Sequence, residues 1–223
     1  MGPPFFISMK EELNEEIPLL ESVFREFERI GGVRIPRYYV GSRWGGGDFG
    51  NLDWYIQRSY SRERGQVRAP FLMNLCKIEP WKKTTPHFDL FVIEEDICAP
   101  NTNFLFGLTK HRIGSVISTY RLKRFYGSEW ETAFYYITAH ELGHLFGVPS
   151  PFNPNFIREN DPRAITPLDY GHCDNRYCVM EQINTEGRLD LLEKARLLQR
   201  SNSLFCEIDR RTLRRILRYM YNI

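Results

Sequence analysis

The stretch HELGHLFGVP, residues 140–149, holds the residue types in this chain that are best suited to metal chemistry. His140 and His144 are four residues apart, so on a helix both imidazoles project from one face, and Glu141 lies one position round from them. This is the His-Glu-x-x-His arrangement of zinc hydrolases. Two surface histidines beside a solvated glutamate are the alternative interpretation. A hydrolytic zinc needs a third protein ligand and one open position, so a third ligand must lie elsewhere in the chain.

The residues directly after the His-Glu-x-x-His motif do not supply the third ligand. Gly147 follows His144 by three residues, and a glycine there lets the chain leave the helix through a left-handed turn. In the metzincin class of zinc peptidases, a third histidine follows such a glycine by three residues. Ser150 occupies that position here and cannot serve. The histidines that remain as candidates are His87, His111 and His172.

His172 lies in the stretch GHCDNRYCVM, residues 171–180. With this stretch the chain resembles the archaemetzincins, whose motif is His-Glu-x-x-His-x-x-Gly-x-x-His-Cys-x4-Cys-x-Met, followed by Cys-x-x-Cys. The matching residues are His140, Glu141, His144 and Gly147 in the first half, and His172, Cys173, Cys178 and Met180 in the second. Between the halves this chain has 24 residues where the family has two. The resemblance therefore implies that His172 is the third ligand, reached through an insertion, and long surface insertions cost little closure entropy.

The resemblance also implies a fold and a domain organisation. It implies a metzincin fold of the α+β class, with a twisted mixed sheet backed by helices, the motif helix beneath the sheet, and a smaller C-terminal lobe. We expect one catalytic domain over residues 1–223, with an N-terminal lobe at 1–147 and a C-terminal lobe at 148–223 that begins with the insertion, residues 148–171. An extended peptide can add to an exposed sheet edge. The residues expected in the peptide-binding edge strand are Phe104, Leu105, Phe106 and Gly107.

A second metal site is implied by the cysteines. In the family, four cysteines hold a structural zinc. Cys173, Cys178 and Cys206 are present here, whereas Asp209 takes the place of the fourth. Carboxylate oxygen binds zinc at nearly the same distance as imidazole nitrogen, so Asp209 is a candidate ligand. A cluster of empty thiols and a Cys173–Cys178 disulfide are the alternatives.

The activity that the resemblance implies is zinc-dependent hydrolysis of peptide bonds. Zinc held by three neutral imidazoles lowers the pKa of a bound water, and Glu141 takes its proton and passes it to the leaving amine. Met180 is expected to support the site by packing beneath it. Tyr170, Arg176 and Tyr177 are near His172 only in sequence, which is weak support for an oxyanion donor. The alternatives are a catalytically silent, zinc-stabilised protein that binds peptides, and a peptidase with Glu181 or Glu186 as third ligand.

Composition narrows the class of protein and its partners. A chain of 223 residues with 42% hydrophobic and 14% aromatic residues is typical of a globular protein. The net charge of +2 is too small to indicate nucleic acid, and no apolar run approaches a membrane span. The start of the chain lacks the pattern of a signal peptide, so we expect a cytoplasmic protein whose cysteines are thiols or metal ligands rather than a disulfide framework. We also expect a monomer whose partner is a peptide or protein substrate. Cys76 and Cys98 lie in apolar stretches and are expected to be buried packing residues.

Local patterns predict the elements that position these residues. Strands are expected at 4–9, 33–40, 88–95, 103–109 and 115–122. Helices are expected from Pro18 to Ile30, from near Glu129 to before Pro149 with a Ser128–Glu131 capping box, and over 188–200 and 207–222. Residues 66–78 are predicted as a helix that runs into a strand, and 41–51 as a flexible glycine-rich loop.

The insertion has its own pattern. Five prolines limit its freedom, which favours a shaped loop. Phe152, Phe156 and Ile157 form an apolar patch that we expect to pack on the rim of the cleft, so that the loop walls the active site. Packing on the outside of the C-terminal lobe is the alternative.

Overall fold

The computed structural model describes residues 2–45, 47–100, 102–158, 171–181, 188–201 and 203–221. The strands of this part are β1 (Phe5–Met9), β2 (Arg37–Tyr39), β3 (Tyr60–Ser61), β4 (Gln66–Arg68), β5 (Phe88–Ile93), β6 (Ile97–Cys98), β7 (Gly107–Lys110), β8 (Gly114–Ser118), β9 (Phe156–Arg158) and β10 (Gly171–Cys173). Its α-helices are α1 (Glu16–Gly31), α2 (Leu52–Ser59), α3 (Ala69–Lys77), α4 (Tyr120–Tyr126), α5 (Trp130–Leu145), α6 (Arg188–Arg200) and α7 (Glu207–Tyr221). None of these helices is both long and apolar enough to cross a membrane.

The main sheet is mixed, with the strand order β2-β1-β5-β8-β7. The first four strands are parallel, and β7 runs antiparallel to β8 with Leu108 opposite Val116. β7 is therefore an edge strand of the described sheet, as the resemblance implies. Two smaller sheets, β3-β4-β6 and β10-β9, lie outside it. The expected α+β class with a mixed sheet is confirmed.

The central strand β5 explains how the sheet is buried. All six of its residues are buried, which is typical of a parallel strand covered on both faces. Phe88, Leu90 and Val92 pack with residues of α1 and α5, whereas Phe91 and Ile93 pack with residues of α2 and α3. The sheet therefore lies between two layers of helices, with α1 and α5 on one face.

Helix α1 ends where the sequence predicts and is capped in two ways. Gly32 has φ 65°, in the left-handed region, and its backbone N–H donates to the Glu28 carbonyl at 2.8 Å. The Nε atoms of Arg214 and Arg218 on α7 donate to the last two carbonyls of α1 at 3.0 and 3.1 Å. These two arginines of α7 thus cap α1.

Several elements of the structure differ from those predicted. Residues 66–78 form a strand followed by a helix, the reverse of the predicted order, because Pro70 lies in the first turn of α3. The strand expected at 115–122 ends at Ser118, and α4 starts at Tyr120. Helix α2, within the segment after the glycine-rich loop, was not predicted.

Helix α5 is the most enclosed helix of the described chain and carries the two motif histidines. Its residues from Tyr136 to Leu145 are all buried, because the helix packs against β7 and β8 as well as α1, α4 and α6. The expected capping box between Ser128 and Glu131 does not form. The chain enters α5 directly from the 3₁₀ turn Gly127–Glu129, and the N-cap residue of α5 has no side-chain hydrogen bond to the helix.

A buried ion-pair network surrounds His87. His87 Nε2 lies 3.2 Å from an oxygen of Glu79 and 3.2 Å from an oxygen of Asp89, and Lys82 also pairs with Asp89. Burial lowers the pKa of His87, but hydrogen bonds to the two carboxylates outweigh it and raise that pKa to about 9. Two cations thus balance two anions, and His87 is not available to a metal site elsewhere. Cys76 is buried as expected, but beside the carboxylates of this network rather than in purely apolar surroundings.

Candidate metal centre

The two motif histidines direct one ring nitrogen each to a common point. The Nε2 atoms of His140 and His144 are 3.1 Å apart. His140 Nδ1 is 2.7 Å from the Val179 carbonyl, which can only accept, so Nδ1 carries the proton and Nε2 a lone pair. His144 makes a hydrogen bond to the backbone of Val148. Two lone pairs this close repel each other unless a proton or a metal cation lies between them, and the arrangement fits a zinc ion.

His172 completes the group from a separate element. Its ring centroid lies 5.3 Å from that of His140 and 5.1 Å from that of His144, and one ligand nitrogen from each ring lies within 4.8 Å of the others. His172 is the middle residue of β10, which pairs with β9 so that His172 is opposite Ile157. β9 belongs to the segment between the two halves of the motif, so this segment itself holds the strand of the third histidine.

The three imidazoles are neutral at neutral pH. Burial lowers the pKa of His140 to about 4 and that of His172 to about 3. Burial, together with the neighbouring imidazoles, also holds the pKa of His144 well below its usual value. The neutral imidazole is the form that ligates zinc, so the site needs no deprotonation at pH 7 before it binds metal.

Glu141 is held beside this group by the edge strand. The hydroxyl of Thr109 on β7 donates to Glu141 Oε2 at 2.6 Å, and Thr109 Oγ1 also lies 2.8 Å from Ser115 Oγ. Burial raises the pKa of Glu141 to about 7, against the opposing effect of the Thr109 hydrogen bond. A pKa near neutrality suits a carboxylate that accepts and returns a proton.

Two glycines allow close packing around the motif helix. A Cβ on Gly107 would lie 2.7 Å from Glu141 Cγ and 2.9 Å from its Oε1, so only a glycine leaves this room for the carboxylate. A Cβ on Gly143 would lie 2.3 Å from the sulfur of Met180. Met180 is fully buried and packs directly on the backbone of α5 between the two histidines, in the place expected of a packing support.

Gly147 and His111 meet at the end of α5. Gly147 has φ 79°, which matches the left-handed turn expected after the helix. A Cβ there would lie 2.7 Å from Cε1 of His111. His111 Nδ1 lies 3.3 Å from the carbonyl of His144, so His111 contacts the helix end but is not part of the three-histidine group.

The structure also brings together the residues of the predicted second metal site. Cys173, Cys178, Cys206 and Asp209 each offer one ligand atom within 4.8 Å of the others, and all four are buried. Cys173 Sγ is 3.9 Å from Cys206 Sγ, and Asp209 Oδ2 is 3.2 Å from Cys178 Sγ. All five cysteines of the chain are free thiols, so the alternative of a Cys173–Cys178 disulfide is wrong. Burial raises the pKa of Asp209 to about 6. A carboxylate with no exposed surface beside three thiols fits a bound cation.

Other predicted residues lie apart from the three histidines. Phe104, Leu105 and Phe106 precede β7, so the strand is shorter than predicted, and only Gly107 belongs to it. Glu181, the alternative third ligand, pairs with Lys194. Tyr177 is 54% exposed, and the side chain of Arg176 stacks over its ring. Tyr170 and Glu186 lie outside the described residues.

The insertion is described only in part, because residues 159–170 lie outside the described range. Phe152 is 96% exposed and Ile157 is 45% exposed, so the expectation that all three side chains of the apolar patch pack on the rim of the cleft is wrong. The ring of Phe156 lies against Gly171, where an added Cβ would come within 1.8 Å of it. Sequence reasoning missed the β9–β10 pairing because neither strand exceeds three residues.

Comparison with known proteins finds chains that are similar to this one. No protein-family model matches the chain. The archaemetzincin of Nanoarchaeum equitans is 35% identical over 99 residues, which are 44% of this chain and 41% of that protein. The archaemetzincin of Pyrococcus horikoshii is 27% identical over 168 residues, 72% of this chain and 67% of that protein. The match thus spans less than half the length of the first relative and about two thirds of the second.

Solved structures agree on the fold. The archaemetzincin of Methanopyrus kandleri has a TM-score of 0.62 at 21% identity, covering 97% of this chain and 96% of that chain. A zinc-dependent peptidase of Methanocorpusculum labreanum has a TM-score of 0.56 at 19% identity, covering 94% and 99%. The mixed sheet above the motif helix is therefore the metzincin fold. Together with the curated relatives, it confirms that the chain resembles the archaemetzincins.

Proposed function

We propose that this chain is a zinc-dependent peptidase with His140, His144 and His172 as the ligands of the catalytic metal. The observation that carries the proposal is the convergence of three buried, neutral imidazoles beside the buried carboxylate of Glu141. A purely structural metal site has no need of such a carboxylate. Zinc at this site would supply Lewis-acid polarisation of a peptide carbonyl and would lower the pKa of a bound water.

Within this proposal, Glu141 moves the protons. With a pKa of about 7, its carboxylate accepts a proton from the attacking water and afterwards returns it to the nitrogen of the leaving amine. Thr109 fixes Oε2 by its hydrogen bond, which leaves Oε1 to face the reacting groups. The His140 proton stays on Nδ1, held by the Val179 carbonyl, so that Nε2 remains available for the metal.

We propose that the substrate is a peptide or protein that binds along β7. An edge strand presents unpaired backbone groups to which an extended peptide can add, and β7 lies directly above Glu141. Gly107 starts this strand and touches the Glu141 side chain, so a substrate backbone on this edge passes close to the general base.

We further propose a structural zinc at Cys173, Cys178, Cys206 and Asp209. Its role is to stabilise the C-terminal part of the chain, since a structural zinc contributes folding free energy. Cys173 directly follows His172 on β10, so a metal at the cysteine cluster also fixes the backbone of the third histidine.

Metal removal tests the proposed activity. We expect the zinc-loaded protein to cleave a mixed peptide library, to lose cleavage when a chelator removes the metal, and to regain it when Zn²⁺ is restored. Peptide products are identified by mass spectrometry, and bound zinc is measured in the same samples. A protein that holds zinc at the histidines, binds peptides and cleaves none would instead be the zinc-stabilised binding protein.

A substitution at Gly107 tests the placement of Glu141. In Gly107→Ala the new Cβ would overlap the Glu141 side chain, so we expect kcat for peptide cleavage to fall at least about tenfold, with zinc content unchanged, because misplaced catalytic groups are costly. Leu108→Ala is the matched control, since Leu108 is the next residue of β7 and packs with the α2 and α3 layer. Equal rates for the two variants would contradict the placement.

A further inference from the structure

The segment between the two halves of the motif reaches into the cysteine cluster. Asn153 belongs to this segment and is buried, although its neighbour Phe152 is exposed. Its Nδ2 donates to Asp209 Oδ1 at 2.6 Å. From this contact we infer that Asn153 is a positioning residue for Asp209, and that the inserted segment therefore supplies part of the structural metal site. This inference rests on the proposed zinc at the cysteine cluster.

The amide of Asn153 is held in one orientation. Its Oδ1 accepts the backbone N–H of Asn155 at 2.9 Å, which leaves only Nδ2 to face Asp209. Its own backbone is fixed as well, because its N–H donates to the Ser150 carbonyl at 2.8 Å and its carbonyl accepts from Phe156 at 2.9 Å. A rigid turn, residues 150–156, thus presents one amide donor to one carboxylate oxygen.

The donor decides which oxygen of Asp209 faces the thiols. With Oδ1 bound to Asn153, Oδ2 lies 3.2 Å from Cys178 Sγ and 3.6 Å from Cys206 Sγ. A carboxylate that ligates a metal keeps a second oxygen, and when that oxygen is buried it needs a hydrogen-bond donor. A cysteine at the same position has one ligand atom and needs no such donor. The aspartate therefore depends on the inserted turn in a way that a fourth cysteine would not.

The same turn also holds β10. The backbone N–H of Asp174 donates to the carbonyl of Asn155 at 2.9 Å, directly after Cys173. The turn is thus bound to two sides of the cluster, to Asp209 at the start of α7 and to the residue after β10. The turn contributes to the metal site by orienting Asp209, and none of its own atoms is a proposed metal ligand.

The test compares Asn153→Ala in two backgrounds, the native chain and Asp209→Cys. In the native background we expect the affinity for the second zinc to fall about 10- to 100-fold, the usual effect of losing a hydrogen bond to a metal ligand. In the Asp209→Cys background we expect the same substitution to change it by less than about threefold. Ser150→Ala is the control, because Ser150 Oγ accepts from the Phe152 N–H within the same turn, whereas Asn153 donates to Asp209.

The readout separates the two metal sites. Zinc-loaded protein is challenged with increasing chelator, and alkylation of Cys173, Cys178 and Cys206 is followed by mass spectrometry. The three-histidine site contains no thiol, and the buried Cys76 and Cys98 report unfolding. Wild-type chelator resistance in Asn153→Ala would overturn the inference, as would an equal loss in both backgrounds. Wild-type protein that protects none of the three thiols with zinc would instead overturn the proposed second site, whatever the result at the histidines.

Discussion

Replacing Glu141 by glutamine is expected to lower kcat for peptide cleavage by about a thousandfold and to leave zinc content unchanged. Glutamine keeps the shape of the side chain and can still accept the Thr109 hydrogen bond at its amide oxygen, but it cannot take a proton from water. The loss is therefore one of chemistry and not of packing. Peptide cleavage and metal content are measured on the same zinc-loaded preparation.

His140→Ala is the comparison for this variant, because His140 is the adjacent residue and a proposed ligand. We expect it to lose both the zinc of the histidine site and peptide cleavage. If Glu141→Gln lost zinc as completely as His140→Ala, Glu141 would be a ligand and its assignment as the general base would be rejected.

The second large effect is expected at His172. His172→Ala should weaken zinc binding at the histidine site by more than about a hundredfold. This loss is larger than the loss of about 10- to 100-fold that is usual when a residue hydrogen-bonded to a metal ligand is changed. The physical reason is that two imidazoles one helical turn apart leave zinc without its third protein ligand. Zinc affinity is measured by competition with a chelator, with alkylation of the cysteines as a separate readout of the other site.

His111→Ala is the matched control for His172. It also removes an imidazole next to α5, but His111 lies against the carbonyl of His144 and against Gly147 and is not part of the three-histidine group. We expect its zinc affinity to stay within about tenfold of wild type. His87→Ala is a poorer control, because it leaves the buried Glu79 and Asp89 short of a cation and so destabilises the fold. Wild-type zinc binding in His172→Ala would place the third ligand elsewhere.

Much of the fold could be predicted because its main elements carry strong local signals. β1 and β5 are apolar runs bounded by turn residues, and α1 has both an apolar stripe and a terminal Gly-Gly. The resemblance to the archaemetzincin motif implied that His172 would join His140 and His144, and the structure brings these three side chains together.

The contacts that complete the site could not be predicted, because they join residues that are distant in sequence. Thr109 and Glu141 are 32 positions apart, and Asn153 and Asp209 are 56 apart. Neither pair follows from periodicity or propensity, since both depend on how strands and helices pack. The order of β4 and α3 is a different case: Pro70 marks a helix start, and that signal was present in the sequence.

The pairing of β9 with β10 has an evolutionary consequence. Neighbouring residues of a strand face opposite sides, and here His172 and Cys173 go to two different candidate metal centres. A one-residue shift in this pairing would exchange their faces and disable both centres in a single step. Residues 159–170 join the two strands, and the described pairs of β9 with β10 are formed by residues 156–158 and 171–173. In descendants of this sequence, gains and losses of residues are therefore expected to collect in that connection, while β9 and β10 keep their lengths.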